Sequence, residues 1–226
     1  MLSKIYLKIR SAAFPSIELY IKKLMKNYNS FVDLGCGPNS PVQILNKIKQ
    51  FNSLGVDGSK ESIEESKIKN IHANYLQSKI LETKLKSKSY DVAISLDVLN
   101  LQSKDDGFKL IKEMERIASK RVIILVPNGK IEEPDEIKLL SESKYKSNYD
   151  FLKWRSTWTA DEMRKLGYEV VGINGLKFLK KANASPRIKP SFLGVLISDF
   201  TQLFTVFFPS KAFHLLCYKD LNKNEK

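Results

Sequence analysis

The order of apolar runs constrains this chain more than any single motif does. "SFVDLG" (30–35), "NSLGVDG" (52–58), a weaker segment at 74–77, "YDVAISLDV" (90–98) and "RVIILVPNG" (121–129) are short and largely apolar, and stretches of helical pattern separate them. Strands apolar on both faces must be covered on both faces, and parallel strands need connections long enough to hold a helix. Strand and helix alternate five times, which predicts a parallel sheet between helices.

The helices carry their own signals. Ile17, Tyr20, Ile21, Leu24, Met25 and Tyr28 recur at helical spacing and predict a helix over 16–28. Asn39 or Ser40 can cap a second helix, with Pro41 at its first position, running to about Gln50. Ser59 caps a third, with Glu61, Glu64 and Glu65 early, where the helix dipole favours acids. "KDDGFKLIKEMERIASK" (104–120) is amphipathic and led by two acids. In the last third, Thr159 caps a short helix that Gly167 stops, "YEVVGIN" (168–174) reads as a strand, and 176–190 as a basic loop with two prolines. An apolar helix over 191–207 and a last strand, "AFHLLCYKD" (212–220), follow, with a short helix also expected after Pro134.

Length and composition bound the rest. The chain has 226 residues, enough for one α/β domain with a full core, and its 42% hydrophobic and 28% charged residues describe a globular protein. The net charge is +13, and only six of the 38 basic residues are arginine, so lysine carries it. Such a surface attracts nucleic acid, anionic lipid or an acidic substrate, unless the charge is merely spread over every face. Cys36 and Cys217 have neither metal-ligand spacing nor a disulfide framework, so free thiols in a reducing cytoplasm and no metal site are expected. The N-terminal stretch mixes Lys and Arg into its apolar residues and lacks the continuous apolar core of a signal peptide. Residues 192–208 contain Asp199 and Gln202 and fall short of the ~20 residues of a membrane span.

"SFVDLGCGPNSPVQIL" (30–45) holds the chemistry. In an open α/β sheet the ligand lies beyond the carboxyl ends of the strands, beside the first strand. Gly35 and Gly37 let the backbone turn sharply and approach a ligand. Asp57, at the end of the second strand, stands where an acid accepts hydrogen bonds from both hydroxyls of a ribose. The two sites together point to an adenosine-bearing ligand. A dinucleotide fold has a third glycine three residues after the second, and that position is Ser40. Asp33, two residues before the first glycine, disfavours a pyrophosphate and suits an ammonium or sulfonium group.

At these residues the chain resembles class I S-adenosylmethionine-dependent methyltransferases. "FVDLGCGPNS", "LGVDGS", "SYDVAISLDVL" and "RVIILVPNG" match successive motifs of that family in order and spacing over roughly 28–175, and "RSTWTADEMRKLGYEVVGI" is similar to its small type-11-like members. The resemblance implies a Rossmann-like, seven-stranded, mostly parallel sheet with helices on both faces and an antiparallel last strand. It implies S-adenosylmethionine as cofactor and S-adenosylhomocysteine as product. Gly35, Cys36 and Gly37 would wrap the methionine part, and Asp33 would face its amino group directly or through water. Asp57, followed by Gly58, would hold the ribose. Leu96 and Asp97 would lie beside the sulfonium.

Two positions depart from the family. Where many relatives place an acid beside the adenine amine, this chain has Lys79, so adenine recognition would rest on the backbone around Ser78, Lys79 and Ile80. Where many have Glu-His after the fourth strand, it has Asn100-Leu101, so no catalytic base is assigned. The chain is expected to form a single domain, with an N-terminal helical cap (1–28), a cofactor-binding core (29–175), the apolar helix and last strand (176–220) and a charged tail (221–226).

Blander readings stand beside these. The glycines could only close a turn, and Asp57 or Asp97 could only cap a helix. Cys36 reads as a packing residue, His72 and His214 as structural or surface residues, and Trp154 and Trp158 as core more than substrate wall. Tyr145 and Tyr149 share the uncertainty of that segment. The acceptor expected is a small molecule or a lipid-linked compound. RNA is the alternative that the charge suggests, and a cofactor-binding protein without catalysis is a third reading; an oxidoreductase is the weakest. The N-terminal "IYLKIR" and the 192–208 run could rest on a membrane surface without crossing it. The preferred reading of 191–207 is a helix that covers the antiparallel edge of the sheet. The sequence assigns no oligomeric state.

Overall fold

The computed structural model describes residues 16–129, 137, 152–181 and 183–222. Residues 1–15 of the N-terminal cap, the segment after Pro134 with Tyr145 and Tyr149, and the end of the charged tail lie outside them. The elements in chain order are α1 (Ile17–Met25), β1 (Ser30–Leu34), β2 (Asn52–Asp57), α2 (Lys60–Ile68), β3 (Asn74–Gln77), β4 (Tyr90–Leu96), α3 (Lys104–Ile117), β5 (Ala118–Pro127), α4 (Ala160–Lys165), β6 (Glu169–Leu176), α5 (Ser191–Thr205) and β7 (Ala212–Asp220).

The seven strands form one sheet in the order β3-β2-β1-β4-β5-β7-β6. The first five are parallel, and β5, β7 and β6 run antiparallel to one another, with helices around the sheet. This is the Rossmann-like arrangement expected. The central strands are buried along almost their whole length, which is why they read as continuous apolar runs.

By its internal packing the chain divides into two compact units. Among the described residues, one comprises Ile17–Leu99, Asp105–Leu125 and the segment from Cys217, and the other Asn100–Lys104 and Val126–Leu216. In the first, Phe31, Val32, Leu34, Val56, Val92 and Ile94 are buried together with Leu110, Met114 and Ile117 of α3. Arg121 ties its parts together: Nε donates to Asp220 Oδ1 at 2.6 Å and Nη1 to the Leu24 carbonyl at 2.8 Å. In the second, Trp158, Met163, Ile173, Phe213 and Leu215 are buried. The Asn128 amide donates to the carbonyls of Pro209, Ser210 and Ala212 at 3.1, 3.0 and 2.8 Å.

Two helices depart from expectation. Instead of an α-helix from Pro41 to about Gln50, the chain makes a 3-10 helix, Pro41–Lys47. Ser40 stands at its N-cap without a side-chain capping bond, and its hydroxyl donates to Asp33 Oδ2 at 2.6 Å. By contrast, Thr159 and Glu162 form a full capping box on α4.

The second is α5. It covers the exposed edge of β6, as expected, but through its polar face. Gln202 donates to the Gly172 carbonyl at 3.1 Å and accepts from the Gly175 amide at 3.0 Å, and Thr201 Oγ1 accepts from Leu176 N at 3.1 Å. The buried residues of α5 are Gly194, Ser198, Asp199, Gln202 and Thr205. A strand edge offers unpaired amides and carbonyls, so the helix covering it must bring hydrogen-bonding groups rather than leucines.

The approach is close enough that a β-carbon on Gly172 would lie 2.2 Å from the Thr205 carbonyl oxygen. Gly172→Ala is expected to destabilise the protein by about 2 kcal/mol, because backbone must move to admit the methyl group. An unchanged urea midpoint would show that α5 does not pack on β6 as described.

Candidate functional site

The carboxyl ends of β1, β2 and β3 are joined by backbone bonds, and the turn after β1 hangs from β2. Gly35 N and Cys36 N both donate to the Val56 carbonyl, at 2.8 and 3.0 Å. Gly37 N donates to Asp57 Oδ2 at 2.9 Å, while Asp57 Oδ1 accepts from Ser59 N at 2.8 Å. Ser78 N donates to the Asp57 carbonyl at 3.0 Å. Asp57 is therefore not the cap of α2; Ser59 is, accepting from Ser62 N. Asp57 braces the glycine turn, and two hydrogen bonds leave its carboxylate with acceptor capacity to spare.

The two glycines do different work. Gly35 has φ +79°, and a β-carbon there would lie 2.4 Å from Val98 Cγ2. Gly37 has φ +54°, yet among the described residues, its chain neighbours apart, no atom lies within 4 Å of where its β-carbon would be. Gly35 is required by packing against the segment after β4. Gly37 leaves open the side of the turn that a ligand would use.

Asp33 is 1% exposed. Its Oδ2 accepts from Ser40 Oγ at 2.6 Å and lies 3.1 Å from His72 Nε2. Its Oδ1 has no partner among the described residues, nor does His72 Nδ1. An ionised carboxylate with one oxygen unpaired in the interior is costly unless another group completes it. Cys36 is buried beside this cluster. Burial first, then the carboxylates of Asp33 and Asp57, push its thiol well above the usual range, so it is a packing residue and not a nucleophile.

The remaining predicted residues lie on neighbouring loops. Gly58 and Ser78 are half-buried, and the Gly58 carbonyl faces Gln77 Nε2 at 3.5 Å. Lys79 is exposed and pairs with Glu82 at 3.3 Å, while Ile80 is half-buried. Leu96 ends β4; Asp97 is exposed, takes φ +58°, and its amide donates to the Leu125 carbonyl at 2.9 Å.

His72, Ser40 and Val98 were not among the predicted site residues, although each touches one. In the other unit, Trp158 is fully buried, with Lys104 Nζ 3.6 Å from its ring centre, which is the core role expected. The Asn100 carbonyl accepts from Arg155 N and Ser156 N at 2.8 and 3.1 Å, so its backbone anchors the "WRSTW" segment. His214 lies 2.8 Å from Asn174 Nδ2, a structural contact.

Residues 32–126 match the family model described as a methyltransferase domain. No curated protein matches the chain in sequence. Solved structures do match. A methyltransferase of Thermotoga maritima, described as a possible histamine N-methyltransferase, is 18% identical over 90% of this chain and 87% of that one, with a TM-score of 0.55. Magnesium protoporphyrin IX methyltransferase from Synechocystis PCC 6803, with bound S-adenosylhomocysteine, is 15% identical over 90% and 79%, with a TM-score of 0.54. The plantazolicin methyltransferase BpumL, in complex with a desmethyl analogue and S-adenosylhomocysteine, is 19% identical over 89% and 80%, with a TM-score of 0.52. At these identities the likeness is one of fold. The matched residues hold the motifs along β1, β2, β4 and β5, and the chain as a whole shares the fold of these methyltransferases.

Two outcomes test this geometry. Gly35→Ala is expected to cost about 3 kcal/mol through strain and the Val98 clash, and Gly37→Ala about 1 kcal/mol through backbone strain alone. In a double-mutant cycle read by urea denaturation, Val98→Ala should recover about 1 kcal/mol of the Gly35→Ala loss. Iodoacetamide at mildly alkaline pH should label neither Cys36 nor Cys217 in the folded protein and both in denaturant, as read by intact mass. Rapid native labelling of Cys36 would contradict its burial.

Proposed function

We propose that this enzyme moves the methyl group of S-adenosylmethionine to a small-molecule or lipid-linked acceptor. The observation that carries the reading is the pairing of an open Gly37 with the Asp57 carboxylate that holds its amide. The residues fit the cofactor. Asp57 keeps acceptor positions for ribose hydroxyls, the turn has room on the Gly37 side, and the unpartnered Asp33 Oδ1 is the acceptor an ammonium group requires.

When bound, S-adenosylmethionine supplies a methyl group already activated by its sulfonium. The chain's own part is to bind and orient. Asp57 would hold the ribose, the glycine turn would lie against the methionine portion, and the backbone around Ser78, Lys79 and Ile80 would meet the adenine. Leu96 and Asp97 bring the end of β4 towards the reacting end. Alignment of this kind lowers the barrier to transfer without a proton donor or acceptor when the acceptor is already nucleophilic. Asn100 and Leu101 stand where many relatives place Glu-His, and no base is assigned. The neighbours support a small acceptor, since they are described as methylating plantazolicin or magnesium protoporphyrin IX. The net charge of +13 favours RNA as the second reading.

Calorimetric titration with S-adenosylmethionine and S-adenosylhomocysteine tests the site. The wild-type protein should bind both, and Asp57→Ala and Gly37→Val should each lose affinity by about tenfold or more while keeping wild-type circular dichroism. No binding by folded wild-type protein overturns the reading. Label transferred from S-adenosylmethionine should then appear in the small-molecule or lipid fraction of an extract; label in RNA would favour the second reading.

A further inference from the structure

The unit formed by Asn100–Lys104 and Val126–Leu216 carries an apolar surface that its fold does not use. An α-helix turns about 100° per residue, so the buried Gly194, Ser198, Gln202 and Thr205 of α5 form one stripe. Phe192, Leu193, Phe200, Leu203 and Phe204 lie on the opposite side, and Phe207 and Phe208 extend it past the helix end. These seven are exposed, Phe192 by 68% and Phe207 by 79%, and Phe178 of the same unit by 69%. Phe204 and Phe208 stack on each other, with ring centres 4.4 Å apart. The usual amphipathic logic is inverted: the polar stripe faces the protein and the aromatic stripe faces out. Scattered exposed apolar residues need no explanation, but a contiguous aromatic surface does.

Charge identifies what the surface suits. Residues 176–211 contain six basic residues and a single acid, Asp199, which is buried. Lys181, Arg187, Lys189 and Lys211 are exposed. Exposed aromatic and aliphatic side chains that lysine and arginine flank in sequence match the boundary between acyl chains and anionic headgroups. No helix among the described residues is long and apolar enough to cross a membrane, so α5 would lie along the surface.

We propose that the outer face of α5, with Phe207 and Phe208, docks on the surface of an anionic phospholipid bilayer. The phenylalanines enter the headgroup boundary and the flanking basic residues meet the lipid phosphates. The proposal stands apart from methyl transfer, since neither cofactor nor acceptor enters its test.

The test is co-sedimentation of the full chain with vesicles of phosphatidylcholine alone and of phosphatidylcholine with phosphatidylglycerol. Partition into the anionic vesicles should exceed that into neutral ones by about tenfold or more and weaken with salt. Phe204→Ser/Phe207→Ser/Phe208→Ser should lower it by about tenfold with circular dichroism unchanged. As a second readout, the emission of Phe207→Trp should shift to the blue on adding anionic vesicles. Three results overturn the proposal. In one, the triple variant binds as well as wild type, so that net charge alone is at work. In another, RNA binds in place of vesicles. In the third, the wild-type chain forms a dimer that the triple variant breaks and leaves vesicles unbound, so that a second copy covers the face.

Discussion

The turn after β1 has no support of its own. Four hydrogen bonds hold it and its neighbours: two amides on the Val56 carbonyl, one on the Asp57 carboxylate, and the Ser78 amide on the Asp57 carbonyl. All four converge on the last two residues of β2. Parallel pairing in register, Asp33 opposite Gly55 and Leu34 opposite Val56, brings those groups to the turn. The sheet thus sets the loop's shape, and the loop's shape decides which of its atoms remain open. A carboxylate that accepts from an amide is also a stronger recognition element than a solvated one, because its orientation is already paid for.

Beneath that turn lies the buried chain Ser40–Asp33–His72. It adjoins a local irregularity. The Ser40 hydroxyl gives its one proton to Asp33 and makes no capping bond, and the segment from Pro41 winds as a 3-10 helix. A buried carboxylate is costly unless its oxygens are paired. The same need makes His72 part of the site's support, since it is the second group on Asp33 Oδ2.

What could be read from the sequence follows from how local each signal is. The bounds of β3 and β7, the start of β4 and the capping box on α4 coincide with the structure because alternation, apolar runs and Thr159–Glu162 spacing act within a few residues. The glycine turn and Asp57 were legible for the same reason: both stand at the ends of recognisable strands. His72 was not, because its partner is 39 residues away and nothing near it in sequence announces a carboxylate. Nor was Asn128, whose three carbonyls lie more than 80 residues downstream. Val98 and Gly35 become neighbours only when β1 pairs with β4.

For α5 the periodicity was visible but its direction was not. Hydrophobic spacing says that a helix has two faces; assigning the apolar face to the interior assumes that the surface being covered is itself apolar. At the edge of β6 that assumption fails. The groups to be covered there are an amide and carbonyl of the strand, and Gln202 meets both with one side chain. Once the inner face is polar by necessity, the aromatic face is released from any role in folding. Seven large apolar side chains then remain outside at a cost in solubility that a purely structural helix would have no reason to carry.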